Sequence, residues 1–341
     1  MNADRFRSLV SNYRDLKIAI VGDFCLDRYL EIDPNRAEVS IETGLPVHNV
    51  VNVRSQPGAA GTILNNLVAL GVGEIFAVGI YGDDGEGFEL ERALRSMRGV
   101  NVDHFVRTPL RRTFVYCKPL IVEAGKPPRE LSRLDSKNWT PTPTLLREAV
   151  AERIRKLGPE IDALILMDQV DLPESGTVTP EVAGAAHAAV EANPGLVTLA
   201  DSRRGLRDFP PLGFKMNAAE LERLTGGTTS RDASELRERV ATLARTNGRP
   251  VFVTLAEEGI VGALPGQSAE HVAAHPIRGE IDIVGAGDSV TANLTAALAA
   301  GADLPEAMKL AMAAASLVIH QLGTTGTASQ AHIAGLLGFS F

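Results

Sequence analysis

Residues 17–30, KIAIVGDFCLDRYL, begin with a short apolar run rich in β-branched side chains and become polar at Gly22 and Asp23. Such a run, ended by a glycine and an acid, predicts a strand buried on both faces. Similar runs occur at DALILMD (162–168), LVTLAD (196–201) and PVFVTLAEEG (250–259). The helical patterns around them include NNLVALG (65–71), FELERALRSM (88–97) and PEVAGAAHAAVEAN (180–193). This alternation predicts an α/β fold with a mostly parallel sheet covered by helices on both faces.

Two stretches interrupt the alternation, residues 28–56 and 103–134. Both contain short strand-like pieces without a helical period. We expect them to form a small extra sheet that projects from the main layer, as a lid or a dimer contact. Two irregular surface loops would give a similar pattern, and the sequence leaves that alternative open.

The composition limits the class of protein. The 341 residues are 45% hydrophobic, enough to bury the core of one large α/β domain or two smaller ones. The net charge of −8 gives no electrostatic case for binding nucleic acid. The polar N-terminus predicts no secretion signal, and the short apolar runs predict no membrane span. Two cysteines, Cys25 and Cys117, form no disulfide framework, which is typical of a reducing cytoplasm.

The segment DIVGAGDSVT (282–291) carries the main chemical signal. A strand-like DIV leads into Gly285, Ala286 and Gly287, and a helix-like run follows. A glycine-rich turn that starts a helix directs backbone N–H groups at one point and binds an anion there. Asp288 could accept a proton from a hydroxyl while those groups hold a transferred phosphoryl group. Asp288 could equally be only an acid at a helix N-terminus.

Acidic residues also follow the first strand. Asp23 and Asp27 come at its carboxyl end, where open α/β sheets bind ligands. Their carboxylates could accept hydrogen bonds from sugar hydroxyls, or they could cap a loop. Gly58 and Gly61 precede a predicted helix, where they would suit either a close ligand or tight helix packing.

A further cluster, KMNAAELERL (215–224), has Asn217 and Glu220 on one face of a predicted helix. The two side chains could hold a hydrated Mg²⁺ near phosphates or could form an ordinary helix start. Neither GxxxxGK[ST] nor GxGxxG after the first strand occurs. Their absence argues against a P-loop nucleotidase and a Rossmann dehydrogenase.

Taken in order, these motifs resemble those of the ribokinase-like (PfkB-type) carbohydrate kinases. DIVGAGDSV is similar to that family's C-terminal signature, DTxGAGD, and six other segments have counterparts in the same order over residues 17–330. These are IVGDFCLDRY, PGAAGTILNNLVALG, VGIYGDDGEG, MNAAEL, VTLAEEG and VIHQLGTTG. The resemblance implies a three-layer, doubly wound, mostly parallel sheet with a small β-sheet lid. It implies one kinase domain over residues 1–341.

The resemblance also implies roles for single residues. Asp288 would be the catalytic base, with Gly285, Ala286 and Gly287 as the anion hole. The residues assigned to sugar binding are Asp23, Asp27, Gly58, Thr62 and Arg133. Those assigned to ATP are Asn217, Glu220, Thr254, Gly259, Ser316 and His320, with Glu220 holding Mg²⁺ through water. A cytoplasmic enzyme that forms a homodimer through its lid is the implied form of the protein.

Within the family, some segments look most like the heptose-7-phosphate kinases. They are GDFCLDRYL, ETGLPVHNV, SRLDS (132–136), ADSRRG (200–205) and HQLGTTGTAS. In many bacteria that kinase is fused to a nucleotidyltransferase. Because this chain ends at Phe341, we expect a stand-alone kinase. A phosphorylated sugar needs cations in its site, and the candidates are Arg36, Arg111, Arg112, Arg133, Arg203 and Arg204.

Four positions depart from the family's pattern. Ala59 and Ala256 stand where glycines are usual, Thr62 replaces a substrate-contacting asparagine, and Ile283 replaces the threonine of DTxGAGD. These changes leave Asp288 and the glycine-rich turn intact. The identity of the phosphoryl acceptor stays open, and the alternatives are a sugar phosphate, ribose, fructose or a nucleoside. A non-catalytic relative that binds a sugar or nucleotide is a further alternative.

Overall fold

The structure is a computed structural model, and it describes residues 1–226 and 233–340. The strands are β1 (Lys17–Gly22), β2 (Phe24–Ile32), β3 (Glu38–Val39), β4 (Pro46–Val47), β5 (Val50–Ala59), β6 (Glu74–Gly82), β7 (Val100–Asn101), β8 (Phe105–Thr108), β9 (Phe114–Ile121), β10 (Arg129–Glu130), β11 (Leu134–Ser136), β12 (Ala163–Asp168), β13 (Val197–Ser202), β14 (Phe214–Asn217), β15 (Val251–Thr254), β16 (Ile260–Ala263) and β17 (Glu270–Val272). The helices are α1 (Ala3–Ser11), α2 (Ala60–Leu70), α3 (Gly85–Arg95), α4 (Thr144–Leu157), α5 (Pro180–Ala192), α6 (Ala218–Thr225), α7 (Ala233–Asn247), α8 (Ala286–Ala299), α9 (Leu304–Val318) and α10 (Gln330–Leu336).

Ten strands form the main sheet, in the order β17-β16-β15-β14-β13-β12-β1-β6-β7, with β8 also paired to β6. The pairs from β7 to β15 are parallel, and only the β15–β16 and β16–β17 pairs are antiparallel. The central strand β1 has β6 on one side and β12 on the other. The winding direction changes at β1, and open α/β sheets bind their ligands beside such a point.

The buried strand residues alternate between two helical layers. Ile18 and Ile20 belong to a core that includes residues of α1, α2, α8, α9 and α10. Ala19 and Val21 belong to a second core with residues of α4, α5, α6 and α7. Because both faces of β1 are covered, its sequence is apolar without a polar alternation. The predicted α/β fold with a mostly parallel sheet is confirmed.

A second, smaller sheet stands beside the main one. Its order is β10-β9-β2-β5, with β11 also paired to β9. Strand β2 follows β1 after a single residue, Asp23, so this sheet begins at Phe24, before the predicted start at residue 28. Within the predicted segment 103–134, residues Phe105–Thr108 pair with β6 of the main layer instead. Strands β3 and β4 form a separate hairpin.

The segment DIV (282–284) differs from its predicted strand conformation, and two alanines adopt a backbone conformation that explains the glycines usual at their positions. The DIV segment is not a strand, because the Asp282 N–H bonds to the Ile319 carbonyl and the Val284 N–H bonds to the Asp282 side chain. Ala59 and Ala256 adopt φ values of 53° and 51°. These are the two positions where the family pattern has glycine, the residue that reaches positive φ without a steric penalty.

No helix in the described part of the chain is long and apolar enough to cross a membrane.

Candidate active site

Polar residues gather where five neighbouring strands of the main sheet end. Asp23 follows β1, Asp168 ends β12, Asp201 lies near the end of β13, Asn217 ends β14 and Thr254 ends β15. The strands are parallel and in close register, with Met167 beside Asp201 and Asn217 beside Thr254. Their carboxyl ends therefore form one polar edge, which is the edge where the sequence predicts the site.

The N-terminus of α8 faces this edge. Gly285 precedes the helix with φ 84°, a left-handed conformation that glycine adopts readily. A side chain there would meet Thr325 at 3.3 Å and Thr62 at 3.4 Å. The N–H groups of a helix's first turn have no partners within the helix, and they carry the positive end of its dipole. The glycine-rich turn thus forms the start of α8, with Thr62 of α2 against it, and the binding of an anion there stays a prediction.

Asp288 lies in the first turn of α8 and is partly exposed. The space between this helix start, the polar edge and Asp27 of the second sheet is called the cleft below. Burial of its carboxyl raises its pKa to about 7, and the negative charges of Asp201 and Asp27 act in the same direction. The positive charges of Lys215 and Arg203 oppose the rise. A carboxyl with this pKa is partly ionised and partly protonated near neutral pH, the range that suits a general base.

Lys215 and Asp201 form a buried ion pair that the sequence analysis did not assign. The Lys215 Nζ lies 2.8 Å from Asp201 Oδ2, and each residue is less than 9% exposed. The Thr291 hydroxyl, one helical turn after Gly287, also donates to Asp201 at 3.2 Å. A side chain on Gly287 would come within 3.0 Å of Lys215 Nζ. The signal in the sequence was a lysine inside the apolar strand FKMN, just before Asn217.

Burial opposes the positive charge of Lys215, but the carboxylates of Asp201, Asp288 and Glu220 together raise the Lys215 pKa. The ammonium group therefore remains charged beside the first turn of α8. Together with the N–H groups of that turn, it provides a second source of positive potential for an anion.

Asp27 opens into the cleft from the second sheet. It is 6% exposed, and burial raises its pKa, while Lys118 and Arg133 partly counter that rise. The Cys25 thiol lies 4.0 Å from Asp27 Oδ1. Gly58 on the paired strand β5 leaves it room, because a Cβ there would lie 2.6 Å from Asp27 Oδ2. In the part of the chain that the structure describes, no O–H or N–H group donates a hydrogen bond to this carboxylate, so its oxygens are available to a ligand.

Asp23 has a different role from the one predicted. It is 2% exposed, and it accepts hydrogen bonds from the backbone N–H groups of Gln169, Val170 and Thr177 at 2.9, 3.2 and 2.6 Å. Gly176 also packs against it. These contacts favour loop capping over substrate binding, because both carboxylate oxygens are already used to hold residues 169–177. Burial and the charge of Asp23 raise the pKa of neighbouring Asp168 to about 6.

Asn217 and Glu220 form a capping box at the start of α6. The Glu220 N–H donates to Asn217 Oδ1 at 2.9 Å, and the Asn217 N–H donates to Glu220 Oε2 at 2.8 Å. Burial raises the Glu220 pKa despite its bond to the Asn217 N–H. No cluster of three or more metal-binding side chains occurs in residues 1–226 and 233–340. One carboxylate is nevertheless compatible with Mg²⁺, which keeps several waters and binds mostly to phosphates.

The remaining predicted nucleotide contacts lie on neighbouring elements. Thr254 donates to the Met216 carbonyl at 3.4 Å. Gly259, with φ 102°, turns the chain into β16 and packs against Val272 of β17. His320 donates from Nδ1 to the Ser316 carbonyl at 2.6 Å, and its Nε2 accepts the Arg278 N–H at 3.0 Å. The binding of a nucleotide by these residues stays a prediction.

The candidate cations divide into two groups. Arg111 is buried and donates to the carbonyls of residues 140, 141 and 175, while Arg204 pairs with Asp168 at 2.8 Å. Arg36 is exposed beside Asp33, and exposed Arg112 bonds through its backbone to Asn138. Arg133 and Arg203 act on the two carboxyls of the proposed chemistry: Arg133 lowers the Asp27 pKa, and Arg203 lowers that of Asp288.

Comparison with known proteins places most of the chain in one family. The family model described as pfkB family carbohydrate kinase matches residues 17–331. The bifunctional protein HldE of Pelobacter propionicus is 29% identical over 333 residues, which cover 96% of this chain and 64% of that protein. The HldE of Pectobacterium atrosepticum is 33% identical over 323 residues, covering 92% and 62%. The chain spans less than two thirds of the length of these relatives.

Solved structures share the fold at low sequence identity. Arabidopsis thaliana ribokinase, complexed with ribose and ATP, gives a TM-score of 0.67 at 20% identity, over 95% of this chain and 99% of that one. Phosphofructokinase-2 from Escherichia coli, in complex with substrates and products, gives 0.69 at 18% identity, over 95% and 98%. The fold is therefore ribokinase-like.

The same substitution at two acids should separate their roles. Both Asp23 oxygens accept hydrogen bonds from backbone N–H groups, so Asp23→Asn places an amide NH₂ group opposite at least one of these donors. The substitution should therefore lower the unfolding free energy by about 1–3 kcal/mol. Asp27→Asn should leave that free energy unchanged or raise it, most clearly at pH 8. The raised folded-state pKa of Asp27 means that stability is lost as pH rises through that value.

Urea unfolding of both variants at pH 5 and pH 8 measures the difference. Equal destabilisation by the two substitutions would contradict the assignment of Asp23 to the loop and Asp27 to the cleft.

Proposed function

The chain belongs to the pfkB family of carbohydrate kinases, and we propose that it transfers the γ-phosphoryl group of ATP to a hydroxyl of a sugar phosphate, with heptose 7-phosphate as the leading acceptor. As a member of that family it is an ATP-dependent carbohydrate kinase. The observation that carries the proposal is Asp288. Its carboxyl, with a pKa of about 7, lies at the N-terminus of α8 and within the electrostatic influence of Asp27 and Lys215.

In the proposed step, Asp288 removes the proton from the acceptor hydroxyl. The acceptor oxygen forms a bond to the γ-phosphorus while the bond to the bridging oxygen of ATP breaks, and ADP leaves with that electron pair. The first-turn N–H groups of α8 and the Lys215 ammonium stabilise the negative charge on the transferred group. Asp27 accepts hydrogen bonds from sugar hydroxyls and thereby positions the acceptor.

ATP and Mg²⁺ are the proposed co-substrate and cofactor. When bound, Mg²⁺ would neutralise charge on the phosphates. Glu220 is the residue proposed to hold it through water, with Asn217 fixing the Glu220 side chain through the capping box. Thr254, Gly259, Ser316 and His320 are the proposed nucleotide contacts. Thr254 ends β15, Gly259 directly precedes β16, Ser316 lies on α9 and His320 follows that helix.

The acceptor proposal has support from two sources. The sequence motifs resemble those of heptose-7-phosphate kinases, and the similar curated proteins are named HldE. The cations that remain near the cleft would suit an acceptor that already carries a phosphate. A kinase for ribose, fructose or a nucleoside is the alternative, and a non-catalytic relative is a second.

A coupled assay of ADP release across sugars, sugar phosphates and nucleosides tests this function. We expect the highest kcat/KM with heptose 7-phosphate. Higher turnover of ribose, fructose or adenosine would contradict the proposed acceptor, while the proposed kinase activity would stand. ATP binding without ADP release from any acceptor would favour the non-catalytic relative.

We also propose a homodimer that forms through the second sheet and the β3–β4 hairpin. Around this hairpin, Val39, Ile41 and Leu45 are 63%, 103% and 64% exposed. Strand β5 is an edge strand with exposed Val50 and Val51. Exposed apolar side chains beside an unpaired strand edge are typical of a surface that a partner covers.

Sedimentation velocity should give twice the chain mass of 36.3 kDa for the wild type. Ile41→Glu should shift the mass to that of one chain, whereas Leu145→Glu, at a site on α4 that is 66% exposed, should leave the dimer intact. A wild-type monomer, or an Ile41→Glu dimer, would contradict this interface.

The proposed location is the cytoplasm, where ATP is available, and the proposed organisation is one kinase domain over residues 1–341. Cell fractionation checks the location. Limited proteolysis checks the organisation, since a separately folded part would be released as a stable fragment.

A further inference from the structure

One face of the second sheet carries a series of cations beside Asp27. The register pairs Asp27 with Tyr116 of β9, and the next position on that face pairs Tyr29 with Lys118. Alternate residues of a strand share a face, so all four side chains lie on the same side. Because β2 begins at the edge of the main sheet, the Tyr29–Lys118 pair lies farther from that edge than the Asp27–Tyr116 pair.

Two tyrosine rings support these cations. The Lys118 Nζ lies 5.1 Å from the centre of the Tyr29 ring, and the Arg54 Cζ lies 4.7 Å from it. The Arg133 Cζ lies 4.9 Å from the centre of the Tyr116 ring. Cations at these distances from aromatic rings are stabilised without a carboxylate partner.

Lys118 differs from its neighbours in its charge balance. Arg54 pairs with Glu31 at 2.7 Å, and Arg133 pairs with Asp135 at 2.6 Å. Lys137, also near Tyr116, lies within 4.0 Å of both Asp135 and Asp171. In the described part of the chain Lys118 has no carboxylate in ion-pair contact, although its side chain is only partly exposed. Among the cations named for this face, this ammonium group is the one without an ion-pair contact; the Asp27 carboxylate acts on it only at longer range.

We propose that Lys118, with Arg133 beside it, binds the phosphate group that the sugar acceptor already carries. The inference rests on the proposed kinase function and names the residues that select a phosphorylated sugar. Asp27 would hold a hydroxyl, and the acceptor would extend from there along the strands to Lys118, away from Asp288. A dianionic phosphate supplies the negative charge that Lys118 lacks, and Arg133 adds a second donor.

The inference predicts a preference that can be measured with matched pairs of acceptors. The pairs are ribose and ribose 5-phosphate, fructose and fructose 6-phosphate, and an aldoheptose and its 7-phosphate. For the best pair, the wild type should have the higher kcat/KM with the phosphorylated member. Lys118→Met should reduce the ratio of the two kcat/KM values at least about tenfold, because one charge-assisted contact is lost. Lys118→Arg should restore much of that ratio.

Lys126→Met is the matched control. Lys126 is an exposed lysine of the turn after β9 and pairs with Glu123 at 2.6 Å, so its removal should leave the ratio unchanged. If Lys118→Met lowered kcat/KM by the same factor for both members of the pair, Lys118 would support only Asp27 or the fold, and the inference would be wrong. A wild type that prefers the unphosphorylated member would also overturn it, while the kinase function would stand.

Failure of the kinase function gives a separate result. If none of the acceptors caused the wild type to release ADP, calorimetric titration with the same pairs would decide whether the phosphate subsite exists. The subsite would be supported if the wild type bound the phosphorylated sugar more tightly and Lys118→Met lost this difference. Equal binding of both members by the wild type would contradict it.

Discussion

The ion pair of Lys215 and Asp201 controls the electrostatics of the cleft. The two side chains are 2.8 Å apart and nearly inaccessible to water, so the charge of each is compensated by its partner and not by solvent. Removing one would leave an uncompensated charge at the end of β13 or β14. Asp201 raises the pKa of Asp288, and Lys215 lowers it. The value near 7 therefore depends on the balance between these two neighbours as well as on burial.

The pair also connects the main sheet to α8. Thr291 donates to Asp201 from the second turn of this helix, and Gly287 leaves space for the ammonium group in the first turn. On the opposite side of the helix start, Thr325 accepts a hydrogen bond from Gln56 at 2.7 Å. Gln56 is the β5 partner of Asp27. Contacts from both sheets thus fix the position of the α8 N-terminus, where the phosphoryl group would be transferred.

Much of this arrangement follows from local sequence patterns. Short β-branched runs alternating with helical patterns predicted the α/β fold, because burial on both faces leaves a continuous apolar run in each strand. The glycine-rich turn predicted the start of α8, because positive φ at Gly285 is a local property of the backbone. The interruption at residues 28–56 predicted the second sheet, although its boundaries shifted because β2 starts immediately after Asp23.

Other features depend on contacts between distant residues, and no local pattern reveals them. Asp23 resembled a ligand-binding acid until the backbone N–H groups of residues 169–177 were seen to surround it. The contact between Asp201 and Thr291 joins positions 90 residues apart. Lys118 gains its importance only from the pairing of β2 with β9, which places it beside Asp27 and Tyr29.

Single-turnover transfer from ATP by Asp288→Asn tests the central role of this carboxyl most directly. The rate should fall by about 10²–10⁴-fold, because the amide cannot accept the proton from the acceptor. The variant should also unfold at a higher urea concentration than the wild type at pH 8, since an ionised, raised-pKa carboxyl lowers stability above its folded pKa of about 7. A folded variant that transfers the phosphoryl group near the wild-type rate would contradict the account.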